Sequence, residues 1–163
     1  MQLEVIRAEL THQTTFRNLF QFYLYDFSRF MGWPVTLGGR FIEDDLEGCW
    51  TDGGRDPYLF RQNDEWVGLA IVDHNETSRY TGDSDTINIA EFFVMGAYRR
   101  QGIGRAAATN LFERYSGQWE VFQHSQNAEA PMFWRRVIQA YTDGNYREIN
   151  CSEYDGIVQV FQR

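Results

Sequence analysis

The sequence predicts an α/β fold: a single mixed, mostly antiparallel sheet of six or seven strands flanked by about four helices. Three observations carry this. Segments of two-residue alternation interleave with segments of helical period in the order β-α-α-β-β-β-α-β-α-β-β. Two strand-like runs, Tyr58 to Gln62 and Trp66 to Asp73, are joined by a tight Asn63-Asp64 turn, which demands an antiparallel pair. A run rich in glycine and arginine, Arg99-Arg100-Gln101-Gly102-Ile103-Gly104-Arg105, lies between a strand-like and a helix-like segment.

Taken in order, Leu3 to Glu9 reads as a first strand, with Leu3, Val5 and Arg7 on one face. A helix follows, capped by Thr11 or Thr14. Phe16, Leu19, Phe20, Tyr23, Phe27 and Phe30 recur along it at helical spacing until Gly32 and Pro34 end it. That stripe is core packing, whereas Tyr25 and Asp26 lie off it and are open to serve a site. From about Met31 to Pro57 six glycines interrupt any long element, leaving a short helix from about Gly39 to Trp50. After the antiparallel pair, the polar stretch Asp73 to Asp85 is a hairpin loop and Thr86 to Met95 its return strand. Ile103, Ala107, Leu111 and Tyr115 then fall at intervals of four, one face of a helix on the sheet, with Ala106 to Ala108 permitting close contact. Ser116-Gly117 stops it, and Gln118 to Gln123 is the next strand. The last helix runs from about Asn127 to Tyr141, with Pro131 in its first turn and Ala130, Phe133, Trp134, Val137 and Ile138 facing inward. Strands near Tyr146 to Asn150 and Gly156 to Phe161 close the sheet.

At 163 residues, with 43% apolar and 17% aromatic residues, residues 1–163 are expected to form one domain with a real core. The net charge of −8 argues against nucleic acid as a partner, because phosphate binding needs a basic face, and suits a cationic amine. No basic start leads into an apolar leader, and no stretch approaches the ~18 apolar residues of a membrane span. A cytoplasmic protein with no membrane partner is expected. Cys49 and Cys151 match no metal spacing and are read as buried thiols, with a bridge as the alternative.

The physical content of the run at Arg99 to Arg105 is anion binding. A helix start leaves N–H groups unpaired and its dipole favours negative charge, while Gly102 and Gly104 let a phosphate approach the backbone. Arg99, Arg100 and Arg105 add charge-assisted hydrogen bonds. The Gly-x-x-x-x-Gly-Lys-Ser/Thr loop of nucleoside triphosphatases does not occur, and the dinucleotide fingerprint fails for want of a third glycine.

The pattern Arg99-x-x-Gly102-x-Gly104 follows Ala90-Glu91-Phe92-Phe93-Val94 and Tyr98, and precedes Trp119-Glu120-Val121 and Asn127-x-x-Ala130. It resembles the acetyl-CoA-binding signature of the GNAT N-acetyltransferase superfamily, over roughly the C-terminal half of the chain. The resemblance implies the acyl-CoA N-acyltransferase fold, with acetyl-CoA as co-substrate and no metal. It implies that backbone groups of Phe93 and Val94 pair with the pantetheine arm where neighbouring strands splay. Amides from Arg100 through Gln101, Gly102, Ile103 and Gly104 to Arg105 would hold the pyrophosphate, with Asn127 reaching the coenzyme. It also implies an acceptor pocket shaped by the stretch between the first two strands, whose Glu43, Asp44, Asp45, Glu47, Asp52 and Asp56 are candidates to attract an amine or to form a solvated face. Tyr25 and Asp26 are the candidate substrate contacts.

Transfer to an amine requires a base, because the acceptor arrives as an ammonium ion. Glu91 is the candidate: alternation sets it with Ile87 and Ile89, and an apolar setting raises a carboxylate toward neutrality. Relatives commonly carry a tyrosine seven residues after the asparagine to protonate the departing sulfur. Here that coenzyme-side position is Trp134. Either Tyr98, Tyr141 or Tyr25 supplies the proton, or the thiolate leaves into water. His12, His74 and His124 lack zinc spacing. The expected activity is acetyl transfer to a primary amine by direct attack in a ternary complex, the alternative being an acyl-CoA-binding sensor. The acceptor is left open among polyamine, aminoglycoside, amino acid and protein amine, and a homodimer is permitted.

Overall fold

The aromatic stripe near the N-terminus closes as one helix, α1 (Gln13–Met31), with Phe16, Leu19, Phe20 and Leu24 buried. Its last turn ends on Gly32, left-handed at φ 69°, whose N–H donates to the Ser28 carbonyl at 2.7 Å. The computed structural model describes residues 2–43 and 46–163. Before α1 stands β1 (Leu3–Arg7), and after it come a short α2 (Gly48–Thr51), β2 (Arg55–Gln62), β3 (Glu65–Glu76) and β4 (Thr86–Val94). Then follow α3 (Ile103–Phe112), β5 (Gln118–His124), α4 (Ala130–Thr142), β6 (Arg147–Cys151) and β7 (Gly156–Gln162).

These strands form one seven-stranded sheet in the order β1-β2-β3-β4-β5-β7-β6. Only β4 and β5 run parallel, joined through α3 by the crossover that a parallel pair needs; every other neighbour is antiparallel. The β2–β3 turn is the two-residue kind expected, with Asn63 at φ 50° and Asp64 at φ 62°, residue types that tolerate the left-handed region.

Helices cover both faces. On one, Ile103, Ala107, Ala108 and Leu111 of α3 and Trp134, Val137 and Ile138 of α4 pack on Ile87 and Ile89 of β4 and Trp119 and Val121 of β5. On the other, α1 and Leu46 and Cys49 pack on Leu59 of β2, Leu69 and Ile71 of β3 and Phe93 of β4. Cys151 belongs to a third cluster with Val158 and Val160, so no disulfide joins the two buried thiols.

Three expectations are corrected. The helix expected from about Gly39 to Trp50 shrinks to α2. Ahead of it, Thr36 and Arg40 close a turn (Thr36 N–H to the Arg40 carbonyl, 2.9 Å) around a left-handed Gly39, which breaks the chain where the longer helix was expected to begin. β3 runs on to Glu76, three residues into the segment read as loop. The third concerns Glu91. Ile71 pairs with Glu91 but Val72 pairs with Ile89, so Ala90 is an extra residue in β4, a β-bulge. It inverts the alternation: Phe92 and Val94 join the α3 face with Ile87 and Ile89, and Glu91 turns with Phe93 toward α1.

Candidate active site

The loop from β4 into α3 passes through two left-handed residues, Arg100 at φ 62° and Gly102 at φ 84°. Nothing lies within 4 Å of where a Cβ on Gly102 would stand, so it is the dihedral that favours glycine there, and the space above it is open. The first intrahelical bond runs from the Ala106 N–H to the Gly102 carbonyl at 3.0 Å. Among the described residues, the amides of residues 100–105 donate to no backbone carbonyl. Open N–H groups at the head of a ten-residue helix make an anion-binding concavity. Arg100, Gln101, Gly102 and Arg105 are exposed around it, and Gln101 Nε2 donates back to the Ala97 carbonyl at 2.9 Å. Ile103 is buried and pins the helix start to the core. Gly104 does a different job from the one expected: a Cβ there would stand 3.1 Å from the Phe133 ring, so the glycine lets α4 close on α3.

Beside this cradle the sheet opens. β4 and β5 are paired only at Ile87 with Trp119 and Asn88 with Glu120. Beyond those two rungs the strands diverge, leaving the β5-facing edge of residues 90–94 without a strand partner.

On the α1 face, at the same gap, lies a cavity of about 540 Å³ lined by Arg55, Asp73, Glu76, Asn88, Ala90, Glu91, Glu120, Tyr154 and residues 77–80. Glu120 is buried and accepts from Ser78 Oγ at 2.7 Å and Thr81 Oγ1 at 2.9 Å, which ties the β3–β4 loop down as a roof. Tyr80 stacks on Phe122 with ring centroids 4.9 Å apart and meets Tyr154 edge-on at 5.4 Å, giving the far end an aromatic wall.

Glu91 stands at the strand break in this cavity. Its Oε2 accepts the hydroxyl hydrogen bond of Tyr23 from α1. Burial pushes the Glu91 carboxyl up to about 7, against the pull of the Tyr23 hydrogen bond and of Arg55. Asp73 is raised to about 6, again by burial, although Arg55 Nη1 sits 2.8 Å and 3.0 Å from its oxygens. Burial and the neighbouring Glu91 charge raise Tyr23 well above an ordinary phenol, so it remains a donor.

The other expected site residues divide. Phe93 and Val94 lie on the unpaired edge, and the Val94 carbonyl accepts from Arg99 Nε at 2.8 Å. Arg99 also holds Asp26 at 2.7 Å and lies over the Phe93 ring at 5.6 Å. It is therefore a brace between α1 and β4, and Asp26 is its partner rather than an open carboxylate. Tyr25 is 71% exposed. Asn127 Oδ1 accepts the Ala130 N–H at 3.3 Å and shapes the turn into α4. Trp134 is corrected: it is 5% exposed, edge-on to Phe92 and Phe133 at 5.0 Å, a core residue with no face for a coenzyme. Among the described residues of the stretch 31–57, Arg55 alone lines this cavity. Glu43 pairs with Arg17 and Arg40, Glu47 with Arg17, Asp56 with Arg7 and His74, and Asp52 with the Thr51 hydroxyl. Asp44 and Asp45 lie outside the described residues. What the sequence reading missed is Tyr23, filed with the core stripe, though a hydroxyl among phenylalanines needs a buried acceptor. Asp73, Arg55 and Tyr154 had no signal short of the fold.

Open N–H groups at the head of α3, an acidic cavity on the α1 face and a gap between β4 and β5 are the arrangement that an acyl-group transferase working across a split sheet needs. The model of the acetyltransferase (GNAT) family matches residues 16–137, and the chain belongs to that family. It transfers an acetyl group from its co-substrate acetyl-CoA to an acceptor amine. Solved structures share the fold. An acetyltransferase from Thermus thermophilus is similar over 100% of this chain and 98% of its own, at 14% identity and a TM-score of 0.71. Arabidopsis thaliana NAA60 in complex with acetyl-CoA is similar over 99% and 98%, at 12% and 0.66. An aminoglycoside acetyltransferase from an uncultured soil metagenomic sample, in complex with sisomicin, covers 83% and 86%, at 19% and 0.61. No curated protein matches the sequence at a significant level. Among the described residues no helix is long and apolar enough to cross a membrane.

Proposed function

We propose that the acceptor is a small-molecule or peptide primary amine that enters the cavity on the α1 face and attacks the thioester directly, with Glu91 as its base. The observation that carries this reading is the position of Glu91. The bulge at Ala90 turns its carboxylate into the cavity beside the strand break, and burial holds it near 7, where it both accepts and releases a proton at neutral pH. In this reading the amides of residues 100–105 hold the coenzyme's diphosphate, with Arg100 and Arg105 at the rim. The β5-facing side of Phe93 and Val94, where no strand pairs and the Val94 carbonyl already accepts from Arg99, is where the pantetheine arm would pair, and Asn127 stands alongside. The co-substrate supplies an activated acetyl thioester. The protein's residues orient it and take the amine's proton at Glu91, while the carbon–sulfur bond breaks and coenzyme A leaves as a thiolate that is protonated from solvent. Carboxylates outnumber arginines around the cavity, Asp73, Glu76, Glu91 and Glu120 against Arg55 and Arg79, which favours a cationic acceptor over an anionic one. A cytoplasmic location belongs to the same reading, since Cys49 and Cys151 are buried thiols in separate clusters.

The test is steady-state kinetics with acetyl-CoA against spermidine, sisomicin, glycine and an alanyl peptide. Turnover with at least one amine and intersecting double-reciprocal lines are expected. Parallel lines, the mark of an acetyl-enzyme, would remove direct attack.

A further inference from the structure

We propose that Tyr23 is a positioning residue for acetyl transfer: from α1, its hydroxyl holds one oxygen of the Glu91 carboxylate and leaves the other for the incoming amine. The inference rests on Glu91 being the base.

Among the described residues, Tyr23 is the one side chain that hydrogen-bonds Glu91, through Oε2. Arg55 donates through Nη1 to Asp73 and acts on Glu91 through its charge, without a hydrogen bond. Without Tyr23 the Glu91 side chain would keep its rotameric freedom in a cavity of about 540 Å³, and a base misplaced by an ångström loses much of its effect. The Tyr23 ring is itself fixed. Phe20 lies 5.2 Å away, Phe27 5.7 Å and Phe93 6.0 Å, the last edge-on from the residue two beyond Glu91 on the same strand. One turn further along α1, Asp26 is gripped by Arg99, which also binds the Val94 carbonyl. Helix rotation is thereby set against the strand that carries the base. The same hydroxyl would have no carboxylate to meet were β4 regular, because the Ala90 bulge is what brings Glu91 to this face.

The charged and titratable groups that act on Glu91 are Tyr23 on α1, Arg55 on β2 and Asp73 on β3. Asp26 acts on Tyr23. A hydroxyl donor stabilises the carboxylate over the acid. Removing it raises the proton affinity of Glu91, and strengthening it lowers that affinity.

The experiment is a carbon-13 titration of glutamate side-chain carboxyls in wild type, Tyr23→Phe and protein carrying 3-fluorotyrosine at position 23, a stronger donor. The Glu91 signal is assigned by its loss in Glu91→Gln. Wild type is expected to titrate near 7, Tyr23→Phe about one pH unit higher and the fluorinated protein lower. The acid limb of kcat/KM, measured with the fastest amine of the panel above, should move with it. Tyr23→Phe would then be down about tenfold near pH 6 and recover at high pH. The acceptor's own ionisation is common to all forms and cancels. A Glu91 titration unmoved in both variants, or a rate lowered equally at every pH, overturns the proposal. Should Glu91→Gln keep the wild-type rate and limb, it is the assignment of the base that fails. Should it lose them while Tyr23→Phe changes nothing, the base stands and Tyr23 does not.

Discussion

Glu91 is held in a state that costs stability, and the cost is measurable. Its carboxyl is raised from 4.5 to about 7 in the folded chain by burial. The stability linked to its proton is thus complete below about 4.5 and is lost as pH rises through 7. At pH 8 the folded protein carries a desolvated charge that costs on the order of 3 kcal/mol, since a tenfold change in proton affinity is worth about 1.4 kcal/mol. Glu91→Gln keeps the shape and cannot ionise. It should be more stable than wild type at pH 8 by about 1–3 kcal/mol and indistinguishable at pH 4, as read by urea unfolding at the two pH values. The same variant should lose turnover by about a hundredfold or more at neutral pH while binding acetyl-CoA as wild type does. Equal stability curves at both pH values would show that Glu91 is not desolvated. The sequence made this residue legible as a carboxylate on an apolar strand. It did not reveal which face it takes, because a single inserted residue reverses every side chain beyond it. Nor did it reveal Tyr23, whose hydroxyl hides in a helical stripe that reads as core.

At the scale of elements, the cradle's two glycines serve different ends, and substitution should separate them. Gly102 is left-handed with open space around it, so Gly102→Ala costs about 1 kcal/mol of backbone strain and sets a methyl group at the mouth of the anion site. Acetyl-CoA affinity is expected to fall about tenfold, a loss of about 1.4 kcal/mol, with a modest drop in melting temperature. Gly104 has a helical dihedral, but its missing Cβ is filled by the Phe133 ring. Gly104→Ala should push α4 from α3 and cost about 1–3 kcal/mol of stability, with a smaller effect on binding. Calorimetric titration with acetyl-CoA beside thermal unfolding distinguishes them, and a reversed pattern would exchange the two roles. Motif reading treats both glycines alike because spacing carries no information about what fills the space. The acceptor side was hidden for a related reason. Asp73, Arg55, Glu120 and Tyr154 come from three strands and the turn before a fourth, and they meet only once the sheet order is known.

For the whole molecule, the element order and the two-residue hairpin were enough to give one mixed, mostly antiparallel sheet, but not the insertion of β7 between β5 and β6, which depends on pairing between distant segments. The surface follows a rule of its own. The sequence contains 15 arginines and no lysine. An arginine guanidinium stays protonated at any pH the enzyme meets and has no lone pair to offer a thioester, whereas a lysine amine titrates and attacks. An acetyltransferase built this way presents acetyl-CoA with no side-chain amine of its own, so its activity on added amines carries no background from acetylation of its own side-chain amines. In a polypeptide of these 163 residues the α-amino group is the one amine left to react. Intact-mass spectrometry after prolonged incubation with excess acetyl-CoA at pH 8 should show one added acetyl group at most, and peptide mapping should place it on the first residue. A second stable acetyl group would mean that a side chain other than an amine, a cysteine or tyrosine, is being acylated. Cys49 and Cys151, both buried, would then have to be reached through opening of the fold.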